Sequence, residues 1–159
     1  MLERLVYRSQ AAQKLGSLHL FNLMVQCRKR NLSLGITGHL LYTEEIFVQC
    51  IEGPSGSIDD LWKSLQRDER HHSLALLSRG PITERKFADW AMAFSSYAHF
   101  DKYDIPGFFP VDSQGMASAV ARLAQLGSEP VPDDKDPAAS PQKSGALTGG
   151  AQGQRPSVP

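Results

Sequence analysis

Polar and apolar positions along this chain switch between two periods, and the switches divide it into elements. Residues 5–9 (LVYRS) alternate, putting Leu5, Tyr7 and Ser9 on one face of a short strand and Val6 and Arg8 on the other. After Gly16, with Ser17 as candidate N-cap, Leu20, Leu23, Met24 and Cys27 recur at i, i+3, i+4 and i+7. That spacing predicts a helix ending near Arg30, with Asn31 where the chain turns. Residues 36–43 and 46–52 read as two strands joined by Glu44-Glu45, a link short enough to impose an antiparallel hairpin. Glu-Glu matches the Gly/Asn preference of tight turns poorly, so the turn type stays open. Gly53-Pro54-Ser55-Gly56 breaks the pattern, and Ser57 with Asp60 approximates a capping box. Ile58, Leu61, Trp62 and Leu65 then repeat the helical spacing, and residues 67–72 (RDERHH) close that helix. The apolar run 74–77 reads as a buried strand ended by Gly80-Pro81. Residues 87–90 make at most one helical turn. Residues 91–97 alternate again, with Met92, Phe94 and Ser96 on one face and Ala93 and Ser95 on the other.

The order is β-α-β-β-α-β-β. With right-handed crossovers it predicts an α+β, ferredoxin-like sandwich carrying an extra fifth strand, both helices on one sheet face. Residues 1–97 form this core. Residues 98–126 follow as a capping segment: Ile105, Phe108, Phe109 and Val111 are too apolar for water, while Pro106, Gly107 and Pro110 break regular structure. Within it, residues 116–126 pattern as a helix with Met116, Val120, Leu123 and Ala124 on one stripe, expected to cover the other sheet face. Residues 127–159 hold six of the ten prolines and only Val131, Leu147 and Val158 as larger aliphatics. Such a stretch cannot bury enough surface to offset its ordering entropy, which predicts a disordered tail.

Charge narrows the function classes. Seventeen basic and seventeen acidic residues cancel, which gives no basic footprint for nucleic acid. Arg28-Lys29-Arg30 fits a helix C-terminus, where cations oppose the dipole. No apolar run is long enough for a membrane helix, and no signal segment opens the chain. Cys27 and Cys50 show neither metal-ligand spacing nor a disulfide framework. The expectation is a cytoplasmic protein without membrane or metal.

Candidate chemistry is confined to a few residues. Adjacent His71 and His72 beside Asp68 and Glu69 lack ligand spacing and a third ligand, so a solvated helix end is the simpler reading. Gly35 and Gly38 precede no strand-to-helix turn and make no phosphate loop. No nucleophile–base pair emerges. Gln49 is different: it sits between Phe47 and Ile51 on a core face, where an unsatisfied carboxamide costs about 1–3 kcal/mol. If the first, third and last strands lie close together, Tyr7, Gln49 and Met92 converge on a patch facing the helices, with Trp90 near and Asn31 entering from the first helix. Core packing and a turn asparagine are the ordinary readings of Trp90, Met92 and Asn31. The alternative is a flavin site, in which one Asn carboxamide matches the imide edge with two hydrogen bonds.

At these residues the chain closely resembles BLUF domains, blue-light sensors that use FAD. The matching marks are LVYRS at 5–9; Asn31 followed by Gly35-Ile36-Thr37-Gly38 and Leu41-Tyr42; FVQCIEG at 47–53; RDERHH at 67–72; Ile82 with Arg85 and Phe87; and Trp90-Ala91-Met92. The resemblance spans roughly residues 3–97 and implies the ferredoxin-like fold, with the flavin ring between the two helices. It implies that Tyr7 is the photochemical electron and proton donor, and that Gln49 is the switching glutamine, left rotated or tautomerised after light. Asn31 is similar to the asparagine that fixes the imide edge, and Arg30 and Asp68 resemble flavin-site polar residues. Trp90 and Met92 match the pair whose exchange near the flavin is disputed within the family. Ser64 departs from the basic residue often found there, which leaves FMN as an alternative to FAD. The implied function is a non-enzymatic photoreceptor. It binds flavin without a covalent link, no cysteine standing at an attachment site, and signals to an unidentified protein partner or through a homo-oligomer. A light-independent ferredoxin-like binding module or small enzyme is the alternative.

Overall fold

In a computed structural model, which describes residues 1–97 and 105–126, one mixed sheet carries helices on both faces. The elements are β1 (Leu2–Ala11), α1 (Ser17–Leu34), β2 (Thr37–Thr43), β3 (Ile46–Pro54), α2 (Ser55–Gln66), β4 (His71–Ile82), β5 (Ala93–Ser96), β6 (Phe108–Pro110) and α3 (Ser113–Leu126). The strands lie in the order β4-β1-β3-β2-β5-β6. β1 is antiparallel to β3 and β4, and β2 is antiparallel to β3 but parallel to β5. The α+β sandwich is as expected.

Alternation along each strand builds two cores. Leu5, Tyr7, Leu40, Phe47 and Ile51 point to one face, where α1 contributes Leu20, Met24 and Cys27 and α2 contributes Ile58, Leu61 and Leu65. Val6, Leu41, Val48 and Cys50 point to the other, where α3 covers them with Met116, Ala119 and Leu123. Asp112 starts α3 by accepting the Gly115 N–H at 2.7 Å. The tail expected over 127–159 lies outside the described residues.

Several local readings change. α1 does not stop at Arg30: its apolar stripe continues to Leu34, and Gly35 ends it in the left-handed region at φ 63°, its N–H reaching the carbonyls of Asn31 and Leu32. Asn31 is therefore an inward helical residue rather than a turn residue. Ser17 and Ser57 cap nothing. α1 starts behind Gly16 and α2 behind Pro54, neither with a side-chain cap. Glu44 and Glu45 adopt φ 47° and 66°, the mirror-image turn that matches strand twist, despite their side chains.

β4 is no buried strand of four residues. It is a twelve-residue edge, with Leu76 and Leu77 49% and 43% exposed, and its pairing with β1 shifts register twice. His71 and His72 open it rather than closing α2, which ends at Gln66. Residues 87–90 form a turn, not a helix, closed by Trp90 N–H to the Phe87 carbonyl. β6 was hidden by Pro106, Gly107 and Pro110; it pairs in parallel with β5, and Phe108 stacks on Phe94 at 5.8 Å.

The connection from β4 to β5 is held by side chains in place of regular structure. Arg85 donates to Thr37 Oγ1 (2.9 Å), the Glu52 carbonyl (3.0 Å) and the Gly35 carbonyl (2.8 Å). The Glu52 carboxylate accepts the N–H groups of Lys86 (3.2 Å) and Phe87 (3.1 Å) and the Arg4 guanidinium (2.8 Å). This clamp positions the segment that ends at Met92.

Candidate functional site

Tyr7 and Gln49 face each other because they are register partners in the β1–β3 ladder. The Tyr7 hydroxyl donates to Gln49 Oε1 at 2.5 Å, and Gln49 Nε2 donates to the Met92 sulfur at 3.5 Å. All three residues are buried. Burial, with smaller contributions from Cys27 and Asp68, pushes the Tyr7 phenol above its ordinary pKa, although Arg30 opposes this. The phenol therefore keeps its proton and must donate it in a hydrogen bond. Gln49 is anchored strongly at its oxygen and weakly at its nitrogen, since a thioether is a poor acceptor. Turning the amide over sacrifices only one strong bond.

Beside this pair lies a cavity of about 540 Å³, within the size range of small-molecule sites. It opens between α1 and the α2–β4 turn and is lined by Tyr7, Gln49, Cys27, Arg30, Asp68 and His71, among others. Arg30 Nε is buried without a hydrogen-bond partner among the described residues. Next to it in sequence, Asn31 is fully buried behind the cavity wall rather than in it; its Nδ2 donates to the Ala91 carbonyl at 2.7 Å, while its Oδ1 has no partner among the described residues. Buried orphans of this kind are uncommon in native proteins. Their donor and acceptor suit a ligand with amide-like edges.

Asp68 sits at the cavity mouth. Arg70 holds its carboxylate through Nε (2.8 Å) and Nη2 (2.5 Å), keeping its pKa below the usual range. The same guanidinium donates to Gln26 Oε1 at 2.9 Å, tying the α2–β4 turn to α1. A second opening of about 500 Å³ is lined by Arg30, Lys63, Arg67 and Arg70 with Asp60, Asp68 and Ser64. Four guanidinium or ammonium groups there outnumber two carboxylates, which suits an anionic ligand arm.

Trp90 and Met92 separate. Neither lines the cavity, but Met92 is fully buried against Gln49, whereas Trp90 is half-buried and away from it. Trp90 meets Phe109 edge-on at 5.8 Å and lies against Gly107, where a Cβ would come within 2.5 Å of the indole. Gly107 also takes a positive φ of 73°, so both sterics and backbone require glycine there.

Cys27 and His71 line the cavity although neither was singled out for this from sequence. Cys27 thus stands at the cavity wall, but burial raises its pKa and keeps the thiol protonated, which makes it a poor point of covalent attachment. His71 bridges Ser9 Oγ (2.7 Å) and the Leu65 carbonyl (3.0 Å). A carbonyl only accepts, so Nε2 carries the proton and Nδ1 accepts from Ser9. Burial lowers its pKa and favours this neutral form. His19, Asn22, Gln26 and Arg30, which also line the cavity, recur along one edge of α1. That polar edge beside the buried stripe was the available signal.

A family model described as "BLUF: Sensors of blue-light using FAD" matches residues 2–93, well over half of the chain. The chain belongs to the BLUF family. A BLUF domain is a photosensor module rather than an enzyme, and the family uses FAD by definition. The photoactivated adenylate cyclase subunit beta of Euglena longa is 37% identical over 92 residues, 57% of this chain but 11% of that protein. The alpha subunit of Euglena gracilis is 39% identical over 83 residues, 52% of this chain and 8% of that protein. This chain thus spans about a tenth of those relatives. Among solved structures, the dark state of the BLUF protein BlrB aligns with TM-score 0.59 and 33% identity, covering 79% of this chain and 83% of BlrB. A bacterial light-regulated adenylyl cyclase aligns with TM-score 0.60 and 28% identity, covering 80% of this chain and 34% of the cyclase. Among the described residues, no helix is long and apolar enough to cross a membrane, and no cluster of ligating side chains could hold a metal.

Proposed function

We propose that this BLUF chain is a cytoplasmic blue-light photoreceptor that holds FAD noncovalently in the cavity between α1 and the α2–β4 turn. The observation that carries this reading is the unfinished polar set beside the cavity. Asn31 Oδ1 and Arg30 Nε lack partners, and Gln49 ends in a weak thioether contact. Arg30, from the cavity wall, and Asn31, buried behind that wall, would hold the flavin's polar edge. Asp68 would lie beside the ring system, and the cationic second opening would take the phosphates. Ser64 lines that opening without a charge, so FMN is the competing occupant.

When bound, the flavin supplies an excited state that accepts an electron on absorbing blue light. Tyr7 would be the donor of that electron, and its hydrogen bond to Gln49 Oε1 the route by which its proton could leave and come back. The Gln49 amide would be the group free to rotate or tautomerise while the proton is away. What persists is an altered amide and a changed contact with Met92, the residue that continues into β5. No net reaction occurs. The signal passes to a partner protein.

The experiment is to purify the protein in the dark, release its chromophore by denaturation and identify it, then record reversible absorbance changes under blue light. FAD with a reversible red shift supports the proposal. A colourless protein that takes up no added flavin defeats it and leaves a light-independent binding module.

A further inference from the structure

α1 carries two apolar stripes, and the core uses one. Leu20, Met24, Cys27 and Asn31 face the sheet. Leu18, Val25 and Leu32 stand seven residues apart on the opposite side and are 70%, 48% and 72% exposed. At 3.6 residues per turn the three fall within about 40° of arc and extend about 21 Å along the helix. Singly exposed leucines need no explanation, but an aligned stripe with heptad spacing is the geometry of a helix–helix seam.

The stripe is symmetric about Val25. Reversed end to end, it places Leu18 on the position of Leu32, Val25 on itself, and Phe21 on that of Lys29. We propose that this face docks a second copy of the chain, the two α1 helices packing antiparallel across a two-fold axis at Val25. Leu18 then meets the partner's Leu32, and the Lys29 ammonium approaches the ring of the partner's half-buried Phe21, a cation–π pair.

Charge selects this direction over the parallel one. α1 contains no acidic side chain, and its cations Arg28, Lys29 and Arg30 crowd its C-terminal half. Parallel packing would superimpose the two clusters. Antiparallel packing puts Lys29 of each copy about 12 Å apart along the axis, beyond the screening length of about 8 Å at physiological salt. A contact made by one helix pair lies at or below the low end of specific interfaces, so the dimer forms and dissociates with concentration.

The test uses the full chain. Sedimentation from low-micromolar to sub-millimolar concentration should show a monomer–dimer equilibrium. Leu32→Glu should weaken it by about tenfold or more, with circular dichroism unchanged because the site is exposed. Oxidised Val25→Cys should cross-link to itself. Leu18→Cys should not, yet should link when mixed with Leu32→Cys; the native Cys27 and Cys50 are buried and give little background. Leu18→Cys linking to itself would mean parallel packing. That result, a dimer indifferent to Leu32→Glu, or a monomer at every concentration would each overturn the proposal.

Discussion

Gln49 and Glu52 lie three residues apart on β3 and face opposite sides of the sheet, and the two sides treat a buried polar group in opposite ways. On the α3 side, the Glu52 carboxylate is fully buried and saturated by Arg4 and two backbone N–H groups. On the α1 and α2 side, Gln49 keeps one strong bond and one weak one, and Asn31 Oδ1 has none. A saturated buried group has one low-energy arrangement and works as a rivet. An unsaturated one waits for a partner or for a rearrangement. The sheet thus separates a fixed face, which clamps the segment leading to Met92, from a face that, on the proposed function, is switchable and reads that segment's far end.

The largest effect should come from breaking the rivet. Glu52→Ala leaves Arg4 buried beside an emptied site and frees two backbone donors, and should cost about 3–5 kcal/mol in urea unfolding. Because the ion pair is absent from the cavity lining, refolded Glu52→Ala at saturating flavin should still give a light-induced spectral change. A loss below about 1 kcal/mol would show that Glu52 is not the clamp.

On the switchable face the penalties invert. Asn31→Ala removes the bond to the Ala91 carbonyl but also removes a buried orphan, so stability should fall by only about 1 kcal/mol. Flavin affinity should fall by tenfold or more, roughly 1.4 kcal/mol of binding. Titration of flavin-free protein measures this directly. Unchanged affinity would detach Asn31 from the ligand.

The fixed face also predicts a pH dependence. His39 on β2 lies against Ser95 Oγ at 2.9 Å and edge-on to Phe87 at 5.6 Å. Burial, aided by Arg122, lowers its pKa to about 4. The unfolded chain therefore takes up this proton at a higher pH than the folded one. Stability should drop as pH falls from about 6.5 towards 4, by at most about 1.4 kcal/mol per unit. His39→Gln should flatten that slope in urea titrations at several pH values. An unaltered slope would assign it to another group acting in the same window, such as His71, whose pKa burial also lowers.

These contrasts explain how far the sequence could be read. Period-two alternation placed Tyr7, Gln49 and Met92 on one face before any coordinates, and the β1–β3 register makes the first two direct partners. Helix ends were harder. Arg28-Lys29-Arg30 looked like a terminus because cations favour one, whereas the αL geometry of Gly35 decides it five residues after Arg30. β4 looked buried because Leu74, Leu76 and Leu77 are apolar, yet it is an edge whose register shifts turn Leu76 and Leu77 outward. Trp90 and Met92 could not be told apart by spacing, since both share one strand parity. Gly107, which seats Trp90 against β6, breaks the tie through packing that no local pattern encodes.

The central claim is that the Gln49 amide is the element light rearranges. Gln49→Leu nearly conserves volume while removing both the acceptor for Tyr7 and the donor to Met92. With flavin occupancy matched, the lit-minus-dark absorbance spectrum of this variant should lack the red shift expected of the unaltered protein. Tyr7→Phe should lose it too, by withholding the electron, whereas Trp90→Phe should keep it and change only the recovery rate. A Gln49→Leu spectrum that shifts as the unaltered protein does would contradict the account.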